Sequence, residues 1–242
     1  MIDTHCHILP HLDDGPDSWD ESLLMAKMAA EDGITAIIAT PHYKNGIYET
    51  KKSQILEKVA QLNELLVNQE IPIKIFPGSE IHFYDGLLKD LTGDSLVTLN
   101  SSSYLLLEFP NSIRISTEIE NVIFQIQLKG YLPIIAHVER CFYFYHHIDL
   151  LEEWHQRGIE TQLTSASLSG LFGQEIKNFA IKVLKRGIID YLVTDAHSVS
   201  KYGRKPILSE GVQKASQVIG QQEALNLVTT NPKKIIKNND KE

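Results

Sequence analysis

Seven short apolar runs, rich in β-branched residues, recur along the chain at 2–7, 34–39, 73–81, 104–109, 132–137, 159–163 and 189–194. Their interiors are continuously apolar rather than strictly alternating. That is the pattern of parallel strands covered on both faces by helices. Parallel neighbours need long crossovers, and the stretches between the runs supply them. Ser18 is placed to cap a helix running to about Asp32, with Asp20 and Glu21 in its favourable first turn. Within 51–66, Ile55, Val59, Leu62 and Leu66 recur at helical spacing and make one apolar face. Further helices are expected over 118–129, 150–157, 174–186, 207–219 and 222–229. Strand and helix alternate seven times with no composition break, which predicts one α/β domain over 1–236. The last residues, 237–242 (KNNDKE), read as a frayed tail.

The residues that follow these runs select among parallel folds. The first run ends in His5-Cys6-His7 and the second in Thr40-Pro41-His42. The third ends in Gly78-Ser79-Glu80, the fourth in Glu108-Phe109-Pro110, the fifth in Ala136-His137, and the seventh in Thr194-Asp195-Ala196-His197. An open sheet would spread these groups along a line. A closed or nearly closed barrel gathers the C-terminal strand ends on one rim, where barrel enzymes keep their active sites. With Asp14 from the loop after the first strand, the candidate metal ligands are His5, His7, Asp14, His42, Glu80, Glu108, His137, Asp195 and His197. Residues two apart on a strand share a face, so His5 and His7 face the mouth while Cys6 faces the helices. Imidazole and carboxylate together suit Mn, Fe or Zn. Nine donors exceed the needs of one ion, so two or three divalent ions sharing a carboxylate are expected. Arg140, three residues after His137, and Arg204, in the loop after His197, present forks that match phosphate oxygens. His82, two residues beyond Glu80, is expected near the cleft, while His11, His146, His147 and His155 are expected outside the ligand set.

Bulk properties exclude several function classes. A net charge of −8 disfavours nucleic-acid binding through phosphates, although bound cations would still let the mouth receive an anion. Two cysteines are too few for a disulfide framework, and neither a signal peptide nor a long apolar span is present, so a soluble cytoplasmic protein is expected. A cysteine-based phosphatase needs an arginine six positions after its nucleophile. That position holds Leu12 after Cys6 and His147 after Cys141, so a covalent cysteine route is excluded.

In order along the whole chain, the segments IDTHCHILPHLDDG, IIATPHY, FPGSEIH, LLLEFP, AHVER and VTDAHS resemble the PHP (polymerase and histidinol phosphatase) superfamily. The resemblance is strongest to its branch of bacterial protein-tyrosine phosphatases from capsule and exopolysaccharide operons, the CpsB/CapC type. It implies a distorted (β/α)7 TIM-like barrel and a trinuclear centre, most often manganese, with iron, zinc or magnesium as alternatives. His5, His7, Glu80 and Asp195 would hold one ion, Glu80, Glu108 and His137 a second, and Asp14, His42 and His197 a third. Arg140 and Arg204 would be the catalytic arginines. AHVER departs from a family pattern that often has proline before the glutamate, which affects loop stiffness rather than chemistry.

The expected reaction is hydrolysis of a phosphate monoester by water activated at the ions, with His42 or His197 as a possible proton donor. The implied substrate is the phosphorylated tyrosine-rich tail of a bacterial tyrosine kinase that regulates polysaccharide export, with Tyr43, Tyr48 and Tyr84 as rim residues open to its ring. Three alternatives stand beside this reading. One is a phosphoesterase of the same superfamily acting on a small monoester such as histidinol phosphate. Another is an amidohydrolase, which would usually carry a bridging lysine where Glu80 and Glu108 stand. The third is a non-catalytic metal-binding regulator of the kinase.

Overall fold

The computed structural model describes residues 1–44, 46–93, 95–200 and 204–237. Among the described residues nine strands form, all on the seven expected runs except β3, which lies just beyond the second: β1 (Ile2–Cys6), β2 (Ala36–Ala39), β3 (His42–Tyr43), β4 (Lys74–Pro77), β5 (Glu80–His82), β6 (Tyr104–Glu108), β7 (Leu132–Ile135), β8 (Glu160–Thr164) and β9 (Tyr191–Val193). All paired strands run parallel, in a three-stranded order β1-β2-β4 and a six-stranded order β3-β5-β6-β7-β8-β9.

The nine strands make seven staves, because β3 continues the path of β2 and β5 that of β4. The single strand expected over 73–81 is therefore interrupted. Its break falls at Gly78-Ser79, where a Cβ on residue 78 would stand 2.8 Å from Ile38 Cγ2 and 3.2 Å from the Ala39 carbonyl. Only glycine tolerates that approach. The matching break in the second stave falls at Thr40-Pro41, where proline offers no N–H to a ladder. The ring closes between its last and first staves. Cys6 and Ala196 form a parallel bridge, His7 N donates to Ala196 O at 2.8 Å, and Asp195 N donates to His5 O at 2.9 Å.

The helices are α1 (Trp19–Glu31), α2 (Lys52–Asn68), α3 (Leu87–Asp90), α4 (Thr117–Leu128), α5 (Tyr143–His146), α6 (Ile148–Gln156), α7 (Ser165–Ser169), α8 (Gln174–Lys185), α9 (Ser209–Ile219), α10 (Gln221–Asn226) and α11 (Thr230–Lys237). Ser18 caps α1 as expected, its hydroxyl accepting from Glu21 N at 3.2 Å. The face Ile55, Val59, Leu62 and Leu66 of α2 is buried. The helix expected over 222–229 is the shorter α10, and α11 follows it as a helix not expected from the sequence. Lys237 closes α11, and residues 238–242 of the expected tail lie outside the described residues.

Two apolar cores result. The larger lies between strands and helices and contains Cys6, as the alternation predicted. The smaller fills the barrel interior with Ile38, Leu106, Ile134, Ala136 and Val193, and Ile235 of α11 packs into it. Asn100 Nδ2 holds that helix by donating to Ile236 O at 3.0 Å. Among the described residues no helix is long and apolar enough to cross a membrane.

Candidate metal centre

Above the inner core the strand interiors change from aliphatic to ionisable. Continuing inward positions on β1 place His5 and His7 at the mouth. β5 supplies Glu80 and β6 supplies Glu108 from their ends, and the turns after β7 and β9 supply His137 and Asp195. Both turn residues have left-handed backbones, φ 29° at His137 and 49° at Asp195. Non-glycine residues rarely hold that conformation, and it concentrates at functional sites.

All nine predicted ligands meet there, in overlapping groups whose ligand atoms lie within 4.8 Å of one another: His5, His7, Glu80 and Asp195; His7, Asp14, His42 and His197; and His42, Glu80 and Glu108. His137 joins the third group through Nε2, 2.8 Å from Glu80 Oε1 and 3.8 Å from Glu108 Oε1. The second ligand set implied by the resemblance is thus assembled, with His42 added to it.

The first group has the geometry of a small coordination shell. His5 Nε2 lies 3.2 Å from His7 Nε2, 3.3 Å from Glu80 Oε2 and 3.4 Å from Asp195 Oδ1. His7 Nε2 lies 3.3 Å and 3.4 Å from the same two oxygens. A tetrahedron with such edges has its centre about 2 Å from each corner, the bond length of nitrogen or oxygen to a small transition ion. Glu80 Oε2 and Asp195 Oδ1 are buried and accept no hydrogen bond. A buried acceptor left unmade costs about 1–3 kcal/mol, so these atoms point to a cation, and the donor set fits one.

The Nδ1 atoms of His5, His7 and His197 are engaged, which fixes the orientation of those rings. His5 Nδ1 donates to Gln162 Oε1 at 2.9 Å, His7 Nδ1 to Asp13 Oδ2 at 2.6 Å, and His197 Nδ1 to Asp195 O at 2.9 Å. Asp13 also accepts from His42 N at 3.0 Å. Sequence reasoning missed Asp13 and Gln162. Asp13 stands beside the chosen ligand Asp14, and Gln162 is one of three polar residues inside the one run without chemistry at its end.

Electrostatics keep the acids charged. Burial pushes the Glu80 carboxyl up, but His5, His42 and His137 more than offset it and hold its pKa well below the usual range. Burial likewise raises Asp195, and Arg204, Arg140 and His5 pull it far down. Both arginines, Arg140 through Nη2 and Arg204 through Nη1, donate to Asp195 Oδ2. They therefore stand on the rim where the strand ends predicted them. Arg204 Nη2 also donates to His197 Nε2 at 2.9 Å.

The remaining candidates separate cleanly. His82 donates from Nδ1 to Glu108 Oε2 at 3.1 Å, so it lines the site from behind a ligand. His155 pairs with Asp190, and His147 stacks on Tyr143. Tyr84 donates to Asp90 Oδ2 at 2.5 Å and touches the buried Tyr43, whereas the Tyr48 ring lies parallel to His42 with centroids 6.2 Å apart. Tyr48 and Tyr84 share a surface pocket of about 340 Å³ with Lys44.

A family described as capsular polysaccharide synthesis, CpsB/CapC, matches residues 1–237. Tyrosine-protein phosphatase YwqE of Bacillus subtilis is 40% identical over 199 residues, 82% of this chain and 78% of that protein. Tyrosine-protein phosphatase CpsB of Streptococcus pneumoniae is 30% identical over 244 residues, 98% of each chain. A solved structure reported with YwqE of Bacillus subtilis and CpsB of Streptococcus pneumoniae, described as unique metal-dependent tyrosine phosphatases, superposes with a TM-score of 0.91. It is 35% identical and covers 98% of this chain and 95% of its own.

Proposed function

Because the chain belongs to the CpsB/CapC family of capsular polysaccharide synthesis, we propose that it is a metal-dependent protein-tyrosine phosphatase. Its proposed substrate, met in the cytoplasm, is a phosphorylated, tyrosine-rich tail of a bacterial tyrosine kinase that regulates capsule or exopolysaccharide synthesis. The observation that carries this reading is the pair of buried, unpartnered oxygens, Glu80 Oε2 and Asp195 Oδ1, facing two inward imidazole nitrogens beneath two arginines. The relatives named as tyrosine-protein phosphatases support the substrate class.

His5, His7, Glu80 and Asp195 would hold one ion, Glu80, Glu108 and His137 with His42 a second, and Asp14, His42 and His197 a third. Manganese is the proposed metal, as the family resemblance implies, and the mixed imidazole and carboxylate donors are compatible with it as they are with iron or zinc. Bound divalent ions supply hydroxide near neutral pH and positive charge facing the phosphoryl oxygens. Arg140 and Arg204 grip those oxygens and orient the monoester, a role for which the guanidinium fork is suited. His42 Nδ1 lies 3.0 Å from Glu80 Oε2 and its Nε2 3.5 Å from Asp14 Oδ1. His197 uses Nδ1 on Asp195 O and turns Nε2 to Asp14 Oδ1 at 3.3 Å. Both rings stand inside the ligand cluster, so these histidines are assigned to ligation rather than proton donation. A tyrosine phenolate, of pKa about 10, needs less protonation than an alkoxide to depart. The cysteines take no part: Cys6 and Cys141 are buried, and burial pushes both thiols up, Cys141 to about 11.

Metal analysis of the purified protein, with hydrolysis of a phosphotyrosine peptide measured with and without Mn²⁺, tests this reading. Metal-dependent turnover of the peptide in preference to histidinol phosphate is expected. Preference for histidinol phosphate would move the protein to the small-monoester reading. Stoichiometric metal with no turnover would make it a regulator.

A further inference from the structure

The mechanism uses Arg140 but leaves unexplained why its neighbour Glu139 is a fully buried acid. The Glu139 side chain bonds to the β8–α7 junction and not to the candidate metal ligands. Its Oε1 accepts from Thr164 N at 3.1 Å and from Ser167 Oγ at 2.6 Å, and its backbone carbonyl accepts from Tyr145 Oη at 2.7 Å. These bonds tie the turn Val138–Arg140 to the end of β8 and the start of α7. The turn follows His137, whose φ is 29°, buries Val138 in the core, and adds backbone bonds from Arg140 N to His137 O at 2.9 Å and from Cys141 N to Val138 O at 3.2 Å.

A second contact reaches Arg140 from the far end of the same segment. The guanidinium carbon lies 5.3 Å from the centroid of the Phe172 ring, within cation–π range. Phe172 stands three residues beyond α7, the helix that Glu139 anchors. Arg140 Nε is buried and has no hydrogen-bond partner, so no other acceptor fixes the stem of this side chain. The guanidinium is therefore oriented by its Nη2 bond to Asp195, by the ring face, and by the position of its backbone.

Resting on the phosphatase reading above, we propose that Glu139 and Phe172 are positioning residues that pre-set the Arg140 guanidinium for a phosphoryl group. Glu139 clamps the turn to the β8–α7 junction, and Phe172, carried by the same segment, supports the planar head. Preorganisation of this kind lowers the ordering cost of gripping an anion. It leaves the ions and the leaving group untouched.

The test is a double-mutant cycle on the full metal-loaded chain, reading the Kd of inorganic phosphate by calorimetry and kcat/KM on a phosphotyrosine peptide. Phe172→Leu keeps apolar bulk while removing the ring face, and Glu139→Ala removes the clamp. In the native background Glu139→Ala is expected to weaken phosphate about 10-fold and Phe172→Leu about 3-fold, with metal content unchanged. In an Arg140→Ala background both effects should shrink below 2-fold, because the group they position is gone. Equal effects in the two backgrounds, or wild-type affinity in Phe172→Leu, would overturn the proposal. Should Glu139→Ala fail to fold, Phe172→Leu decides alone. A native protein that binds phosphate but does not turn over the peptide would sink the phosphatase reading and still leave the cycle readable.

Discussion

The two ends of the barrel both gather acids and a histidine, and they treat them differently. At the floor, Asp190 Oδ1 pairs with His155 Nε2 at 3.2 Å, Asp190 Oδ2 accepts from Thr161 N at 2.9 Å, and Glu160 Oε2 accepts from the Tyr191 hydroxyl. The donors there are protein groups matched to the acceptors. At the mouth, five histidines and four acids crowd together, yet Glu80 Oε2, Asp195 Oδ1 and His42 Nδ1 make no hydrogen bond. Similar residue types thus give a satisfied structural cluster at one end and an incomplete one at the other. The difference separates a cluster that stabilises the fold from one shaped for something outside the chain.

Substitutions at the two ends should break in different ways. The largest effect is expected at the ions. His5→Ala or Asp195→Ala should lower kcat/KM at least 1000-fold and reduce bound metal, read by elemental analysis. Chelation of the native protein should abolish turnover and lower its Tm, since a ligand that prefers the folded state stabilises it. Next comes Arg140→Ala, expected to cost about 100-fold or more in kcat/KM with metal content intact. Cys6→Ser should keep most activity, and a Cys6→Ser loss matching that of Arg140→Ala would reinstate thiol chemistry. Asp13→Asn and Gln162→Leu, behind His7 and His5, should weaken metal affinity about 10–100-fold.

The smallest effect belongs to the floor. His155 is raised above its ordinary pKa of 6.5 by its hydrogen bond to Asp190, which outweighs burial. A histidine raised on folding stabilises fully below its unfolded pKa, and that contribution fades as pH rises through the folded value. His155→Gln should therefore lower stability by less than about 1 kcal/mol at pH 5.5. The loss should vanish at pH 9, with kcat/KM unchanged throughout. Glu80 and Asp195 behave in the opposite sense. Held below their ordinary values of 4.5 and 3.8, they contribute fully above those values and lose that contribution only as pH falls further. Equal pH sensitivity of His155→Gln across that range would break the comparison.

Much of the mouth was legible in the chain because most ligands stand at or just after the end of an apolar run, and those ends share a rim in a parallel barrel. His5 and His7 follow from alternation alone, and Cys6 follows as their outward neighbour. What stayed hidden are the groups that act through another residue. Gln162 meets His5 across 157 positions, and Glu139 meets Ser167 through a turn no periodicity encodes. Neither carries chemistry by type or spacing. The interruption of the third stave was hidden for a different reason: Gly78 yields to Ile38 and Leu99, and that crowding exists only after the barrel closes.

Glu80 occupies a junction. Its Oε2 faces His5, His7 and His42, while its Oε1 faces His137. One side chain would thereby serve neighbouring cation positions at once, and filling one would settle the rotamer that the next requires. Loading of such a centre should rise steeply with metal concentration. A partly stripped preparation should then be a mixture of complete and empty molecules, and its specific activity would track the complete fraction.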